Sequence, residues 1–272
     1  MAVERGGAGM SGGARFGQGT LAVAGLRLAF RRGGAGPSLL LLHNDIGTPQ
    51  GLPFYELLAR RHDLTVLDLP GYGGSQRAVW ARNVRDLAAV VGLAVDALGL
   101  ARVGLVGLGF GGWLAAELAS FGTSRFSGLT LVGPMGIKPE AGEIVDQFML
   151  SHEGYVKLGF QDESRYAALF GDPAPIEQLM LWDTHREATM RVAWKPYMFN
   201  RALPPLLASV RLPALVVMGE QDRIVPRDCA ERYRAALPDA RLEFVPGAGH
   251  RVEMEAPERL AELIAGHAAG AA

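Results

Sequence analysis

His250 stands apart from the other five histidines of this chain. It follows an apolar run and the small residues Gly247, Ala248 and Gly249, and a helical pattern opens shortly after it at Pro257. That context lets its ring project over the end of a sheet, whereas His62, His152, His185 and His267 read as structural or surface residues. Asp222 has a matching place just beyond the apolar run 214–218. A carboxylate there can fix the imidazole tautomer and stabilise its charged form, which is what a proton-transferring histidine needs. The plainer alternative for Asp222 is a turn residue or a cap before the helix that follows Pro226. Cys229, the one cysteine, falls inside that helix and reads as structural.

A third feature is the run from Val103 into Gly107, Leu108, Gly109, Phe110 and Gly111, followed by Trp113. It has the frame of a nucleophile elbow, a sharp strand–turn–helix whose flanking glycines let strand and helix approach closely. The same glycines invite a dinucleotide or phosphate reading, which is weak here. The turn lies mid-chain, no acidic residue follows at a strand end, and no Gly-Lys-Ser/Thr is present.

The elements that must position these residues follow from hydrophobic periodicity. Short apolar runs at 21–23, 26–30, 39–42, 64–67, 103–106, 129–132, 214–218 and 241–245 alternate with longer amphipathic stretches. The central runs are continuous, as in strands buried on both faces, so a mostly parallel sheet covered by helices is expected. Val84, Leu87, Val91, Val95 and Leu98 recur at helical spacing, with Asn83 and Asp86 placed as an N-cap and its third helical residue. Residues 133–205 break the alternation. They carry no convincing strand but many aromatics, and a structureless loop of that length is improbable in a compact domain, so a helical insertion is expected. After a strand, it would cover the carboxyl ends of the sheet, where open α/β folds bind ligands. Most of its aromatics should build its own core, and a few should line a pocket.

Composition excludes several classes. Twenty-seven Lys and Arg against 28 Asp and Glu leave a net charge of −1, no footprint for nucleic acid or an anionic membrane. A single cysteine excludes a disulfide framework and a Cys-rich metal site. No apolar run approaches the roughly 18 residues that span a bilayer, and 1–19 is Gly-rich and polar with no signal-peptide core. A soluble, cytoplasmic protein with no metal or cofactor is expected, a monomer or homodimer that meets a small molecule rather than nucleic acid or membrane.

With these parts in order, the chain resembles the α/β-hydrolase fold family over residues 20–265. Leu39 to His43, followed by Asn44, Asp45, Ile46 and Gly47, is similar to its strand and oxyanion loop. Leu67 to Ser75 resembles the turn after the next strand, Val216 to Pro226 the loop bearing the acid, and Val245 to His250 the loop bearing the histidine. The long insertion brings it nearest to capped esterases and carbon–carbon bond hydrolases. The resemblance implies an α/β-hydrolase core at 19–132 and 206–272 around a mostly parallel sheet of about eight strands, a helical cap at 133–205 and a flexible tail at 1–18. It further implies an oxyanion hole from the backbone amide of Phe110, where the helix dipole helps, and that of Asn44 or Asp45. A pocket touched by His43, Trp113, Phe148, Trp182 and Trp194 completes the expectation, with His43, at a strand end, expected to hold the loop through a hydrogen bond rather than to transfer protons.

Two departures decide the chemistry. The family carries Ser, Cys or Asp where this chain has Gly109, and usually a glycine where it has Asn44. Without a side chain at 109 no acyl-enzyme can form. The dyad of His250 and Asp222 is then expected to activate water against an ester or carbon–carbon bond of a small hydrophobic carbonyl compound. Alternatives are non-hydrolytic acid–base chemistry, as in a lyase, isomerase or cofactor-free oxygenase, and a catalytically inactive member that binds a small ligand. An engineered knockout would more commonly carry Ala. Asp45 is unusual beside an oxyanion site, and is expected either to point away or to serve as a second acid–base group.

Overall fold

The structure is a computed structural model that describes residues 4–6, 16–49 and 51–270. Nine strands among these residues form one sheet: β1 Glu4–Gly6, β2 Gly17–Val23, β3 Leu26–Gly33, β4 Ser38–Leu42, β5 Asp63–Leu67, β6 Val103–Leu108, β7 Phe126–Val132, β8 Ala214–Gly219 and β9 Ala240–Val245. Their order across the sheet is β1-β2-β3-β5-β4-β6-β7-β8-β9. The pairs from β1 through β3 to β5 are antiparallel, and those from β5 through β4 to β9 are parallel. The parallel strands β4, β6 and β8 are apolar and buried along almost their whole length, as strands covered on both faces must be.

Ten α-helices among the described residues connect and cover the strands: α1 Pro53–Ala59, α2 Val84–Ala97, α3 Phe110–Phe121, α4 His152–Leu158, α5 Glu163–Phe170, α6 Ile176–Ala193, α7 Leu203–Leu207, α8 Arg227–Ala236, α9 Val252–Glu255 and α10 Pro257–Gly270. The start of α2 is set locally. Asn83 accepts from the Asp86 amide at 3.0 Å, and the Asp86 carboxylate accepts from the Asn83 amide at 3.3 Å, a reciprocal capping box. Asn83→Ala should therefore cost about 1 kcal/mol in urea unfolding, and no measurable loss would mean that packing alone fixes this end.

The ninth strand exceeds the expected eight because order reaches into the expected tail. Glu4–Gly6 pairs with Gln18, Gly19 and Thr20, and β2 already begins at Gly17; the rest of that tail lies outside the described residues. Glycines hide a strand from pattern reading, but their N–H and C=O groups extend an antiparallel edge as well as any others. Residues 133–205 hold a 3₁₀ turn at Gln147–Met149 and helices α4, α5, α6 and part of α7, with one isolated bridge between Gly136 and Phe199. No described helix is long and apolar enough to cross a membrane.

The order of strands locates the site. From β4 the chain steps to β5 on one side, then returns to β6 on the other, so the crevice beyond the carboxyl ends of β4 and β6 is the topological switch point. The loop 43–47 leaves β4 there, and Gly109 leaves β6.

Candidate active site

Gly109 has φ +50° and ψ −112°, a conformation in which a side chain is strained. The turn is equally tight on either side: a Cβ at Gly107 would strike the Gly111 carbonyl, and one at Gly111 would strike the carbonyls of Leu42 and His43. This close approach brings the N-terminus of α3 against the end of β4. The Phe110 amide is the first of that helix and has no acceptor within it, so it is available to an anion.

His250 arrives beyond β9 and Asp222 beyond β8. Their side chains are buried, with His250 Nδ1 2.7 Å from Asp222 Oδ2. The other carboxylate oxygen, Oδ1, accepts from the amides of Ile224 and Val225 at 2.8 and 2.9 Å, which fixes the Asp222 rotamer. A carboxylate only accepts, so Nδ1 carries the ring proton in the neutral imidazole and Nε2 keeps a lone pair. Nε2 is buried and has no partner among the described residues. It lies 3.1 Å from the point where a Cβ on Gly109 would stand. The structure thus brings Gly109, His250 and Asp222 together from three separate loops.

His43 plays another part. Its Nε2 accepts from the Leu69 amide at 3.0 Å, and its Nδ1 lies 2.6 Å from the Asn44 carbonyl, to which it donates. Both nitrogens are spent inside the protein and the residue is fully buried, so it anchors the loop and does not touch a pocket. Burial pushes its pKa down to about 4. The folded state therefore holds the ring neutral, while the unfolded chain takes up the proton from about pH 6.5 downward. Stability from this group is complete above pH 6.5 and lost as pH falls towards 4. Roughly 2 kcal/mol should disappear between pH 6.5 and 5. Urea unfolding of His43→Gln should show a flatter pH dependence over that window than the parent, and an identical slope would remove His43 as its source.

Asp45 points away from Gly109 into a buried polar cluster that no local pattern in the sequence announces. Its Oδ1 pairs with Arg251 Nη1 at 3.0 Å, and its Oδ2 accepts from Tyr155 Oη at 2.6 Å and Gln147 Nε2 at 2.9 Å. Burial alone would raise the Asp45 carboxyl, but Arg251, His250 and Tyr155 outweigh it and hold it below the usual carboxylate range. Beside it, Asn44 Nδ2 donates to Glu253 Oε1 at 2.6 Å, and burial raises the Glu253 carboxyl above its ordinary value. Glu255 ties the histidine loop to the helices above the sheet. Its Oε2 accepts from the Gly249 amide at 2.6 Å, and its Oε1 from the amides of Gln161 and Asp162 at 2.8 Å each. Of the two expectations for Asp45, these contacts fit the one in which it points away from the oxyanion site.

Helices α4 and α6 close over these loops. His185 on α6 lies 3.0 Å from the Ile46 carbonyl through Nδ1, and Thr189 is hydrogen-bonded to Tyr72. Three more of the expected pocket residues are corrected. Trp113 is core, its Nε1 donating to Glu117 Oε1 at 3.0 Å. Phe148 and Trp194 are 52% and 53% exposed, edge to face at 5.3 Å along an outer groove of about 790 Å³. Phe148 faces outward because its neighbour Gln147 turns inward to donate to Asp45. Trp182 does reach the interior, where it joins Asp45, Gln147 and Tyr155 around a cavity of about 10 Å³, the room of one water molecule. No group of three or more metal-ligating side chains is assembled among the described residues.

Residues 39–263 match the model of the alpha/beta hydrolase family. The chain is 30% identical over 244 residues to the dihydrolipoyllysine-residue acetyltransferase component of an acetoin cleaving system from Pseudomonas putida. That alignment covers 85% of this chain but only 63% of the relative's length. It is 28% identical over 228 residues to a 2-hydroxy-6-oxononadienedioate/2-hydroxy-6-oxononatrienedioate hydrolase from Dechloromonas aromatica, covering 76% of each chain. Among solved structures, a bacterial membrane phospholipase A superposes with a TM-score of 0.80 at 22% identity, over 94% of this chain and 86% of that one.

Proposed function

Because the chain belongs to the alpha/beta hydrolase family, we propose that it is a hydrolase of small, largely apolar carbonyl compounds in which water takes the place of an enzyme nucleophile. The observation that carries this is the buried, partnerless Nε2 of His250, oriented by Asp222 and facing a residue with no side chain. In the proposed step Nε2 accepts a proton from water as the oxygen attacks the carbonyl carbon. The carbonyl oxygen gathers the negative charge and is met by the Phe110 amide and one from the 44–45 turn. Collapse breaks the bond to the leaving alkoxide or carbanion, which takes the proton back from Nε2. The Asp45 charge does not oppose the oxyanion, since Arg251 offsets it. Helices α4, α5 and α6 act as the cap that keeps bulk water out. The relative from Dechloromonas, named as the hydrolase of a hydroxy-oxo dienedioate, supports carbon–carbon bond cleavage beside ester hydrolysis as the reaction class.

The test is a panel of aryl and alkyl esters and of vinylogous 1,5-diketones, turned over in ¹⁸O-labelled water. Hydrolysis places one labelled oxygen in the acid product. Turnover without incorporation would replace the proposal with lyase or isomerase chemistry by the same His250, and saturable binding without turnover would make the protein a small-ligand binder.

A further inference from the structure

The two positions at which this chain departs from the hydrolase pattern touch each other. A Cβ on Gly109 would stand 3.2 Å from the Asn44 Cβ and 3.8 Å from its Cα, as well as 3.1 Å from His250 Nε2. The 3.1 and 3.2 Å approaches are tighter than ordinary side-chain contacts, so a neighbour must give by a few tenths of an ångström, and both neighbours are tied down. The Asn44 side chain is held at both ends, donating from Nδ2 to Glu253 at 2.6 Å and accepting on Oδ1 from the Ile46 amide at 3.1 Å. Its carbonyl is held by His43 at 2.6 Å and by the Gly47 amide at 3.2 Å. His250 is held by Asp222. Glu253 is itself buried on α9, three residues beyond His250, so the lock follows directly on the loop that carries the base.

We propose that Asn44 and Gly109 form a matched pair: Asn44, locked by Glu253, crowds the point where the Cβ of a nucleophile would stand, and so favours glycine at 109 and leaves His250 Nε2 to water. Asn44 is thus a positioning residue and Glu253 the group that holds it. A serine restored at 109 does not simply rebuild a triad, because its Cβ already stands where its hydroxyl should reach towards Nε2. The steric half of the proposal is independent of the catalytic reading above; the part that concerns attack rests on it.

Four proteins test the pair: the parent, Gly109→Ser, Asn44→Gly and the double variant. The strain of φ +50° burdens serine in both backgrounds and cancels in the cycle. The thermal midpoint should fall at least about 3 °C further for Gly109→Ser in the parent than in the Asn44→Gly background. A fluorophosphonate reports the chemistry, since an activated serine oxygen bonds to phosphorus, fluoride leaves and His250 takes the proton. The double variant should be labelled at least about tenfold faster than Gly109→Ser alone. In Glu253→Ala, which releases Asn44, Gly109→Ser should also label faster, while Glu253→Gln keeps an acceptor and should not change the rate. Equal midpoint losses in the two backgrounds would overturn the pairing, as would labelling of the single variant as fast as the double. Midpoint coupling with no labelling of either serine variant would uphold the pairing and refute the acid–base role of His250 instead.

Discussion

If the proposed hydrolysis is right, His250→Ala is expected to lower turnover of an ester or ketone substrate by about 10²–10⁴-fold, the usual contribution of a general base. Among the described residues the ring makes one polar contact, with Asp222, so its loss removes the proton acceptor and little else at the site. Asp222→Asn should be nearly as harmful by a different route. An amide can donate to Nδ1, which would move the ring proton to Nε2 and cover the lone pair that water needs. The backbone contacts of Oδ1 with Ile224 and Val225 would survive, so kcat should fall while the thermal midpoint stays close to the parent's. Full activity in His250→Ala would end the assignment. Asp45 could not take over, since Arg251, Tyr155 and Gln147 already occupy its oxygens.

The largest stability effect should come from Arg251→Met, at about 3–5 kcal/mol, because it leaves the Asp45 charge buried without its cation. Arg251 and Asp45 are wholly enclosed and 3.0 Å apart, so solvent cannot replace the lost partner. The sign of the pH dependence follows. In the parent the Asp45 carboxyl lies below its ordinary range because of Arg251 and its neighbours. Without Arg251 burial is less opposed and the carboxyl rises, so the folded variant gains a proton that the unfolded chain lacks at neutral pH. Its deficit against the parent should therefore shrink as pH falls from 7 to 5, measured by urea unfolding at both values. A loss below about 1 kcal/mol would mean that Tyr155 and Gln147 suffice to hold the carboxylate. Arg251 Nε and Nη2 have no partners among the described residues, so replacing both members of the pair by apolar residues should cost less than breaking it.

Features whose cause lies within a few residues are legible in the sequence alone. The cap of α2 is an i, i+3 exchange between Asn83 and Asp86, and both halves stand in one tetrapeptide. The elbow shows itself because only glycine tolerates the carbonyls that crowd 107 and 111. His250 and Asp222 are readable from their places just after apolar strands, which in a parallel sheet brings loop residues to one edge. The features that pattern misplaces share the opposite property. Aromatics favour burial, which points Phe148 towards a pocket. In the turn at 147–149, however, the buried Asp45 carboxylate draws Gln147 inward and leaves the ring outside. The strand at Glu4–Gly6 shows no alternation of apolar and polar residues in the sequence, and it is seen only through its pairing with Gln18, Gly19 and Thr20.

What the sequence by itself determined is therefore the sheet, the order of its loops and the three positions that meet at the switch point. What only the tertiary structure decided is how the charges around them are satisfied and which space is left. Arg251 finds Asp45 across 206 residues, and Glu253 finds Asn44 across 209. Nothing local distinguishes those residues from solvated charges, because a buried charge is defined by the partners that folding brings to it. The same holds for Gly109: its lack of a side chain is written in the sequence, but that His250 Nε2 and the Asn44 Cβ stand 3.1 and 3.2 Å from where its Cβ would be is a fact of packing between loops.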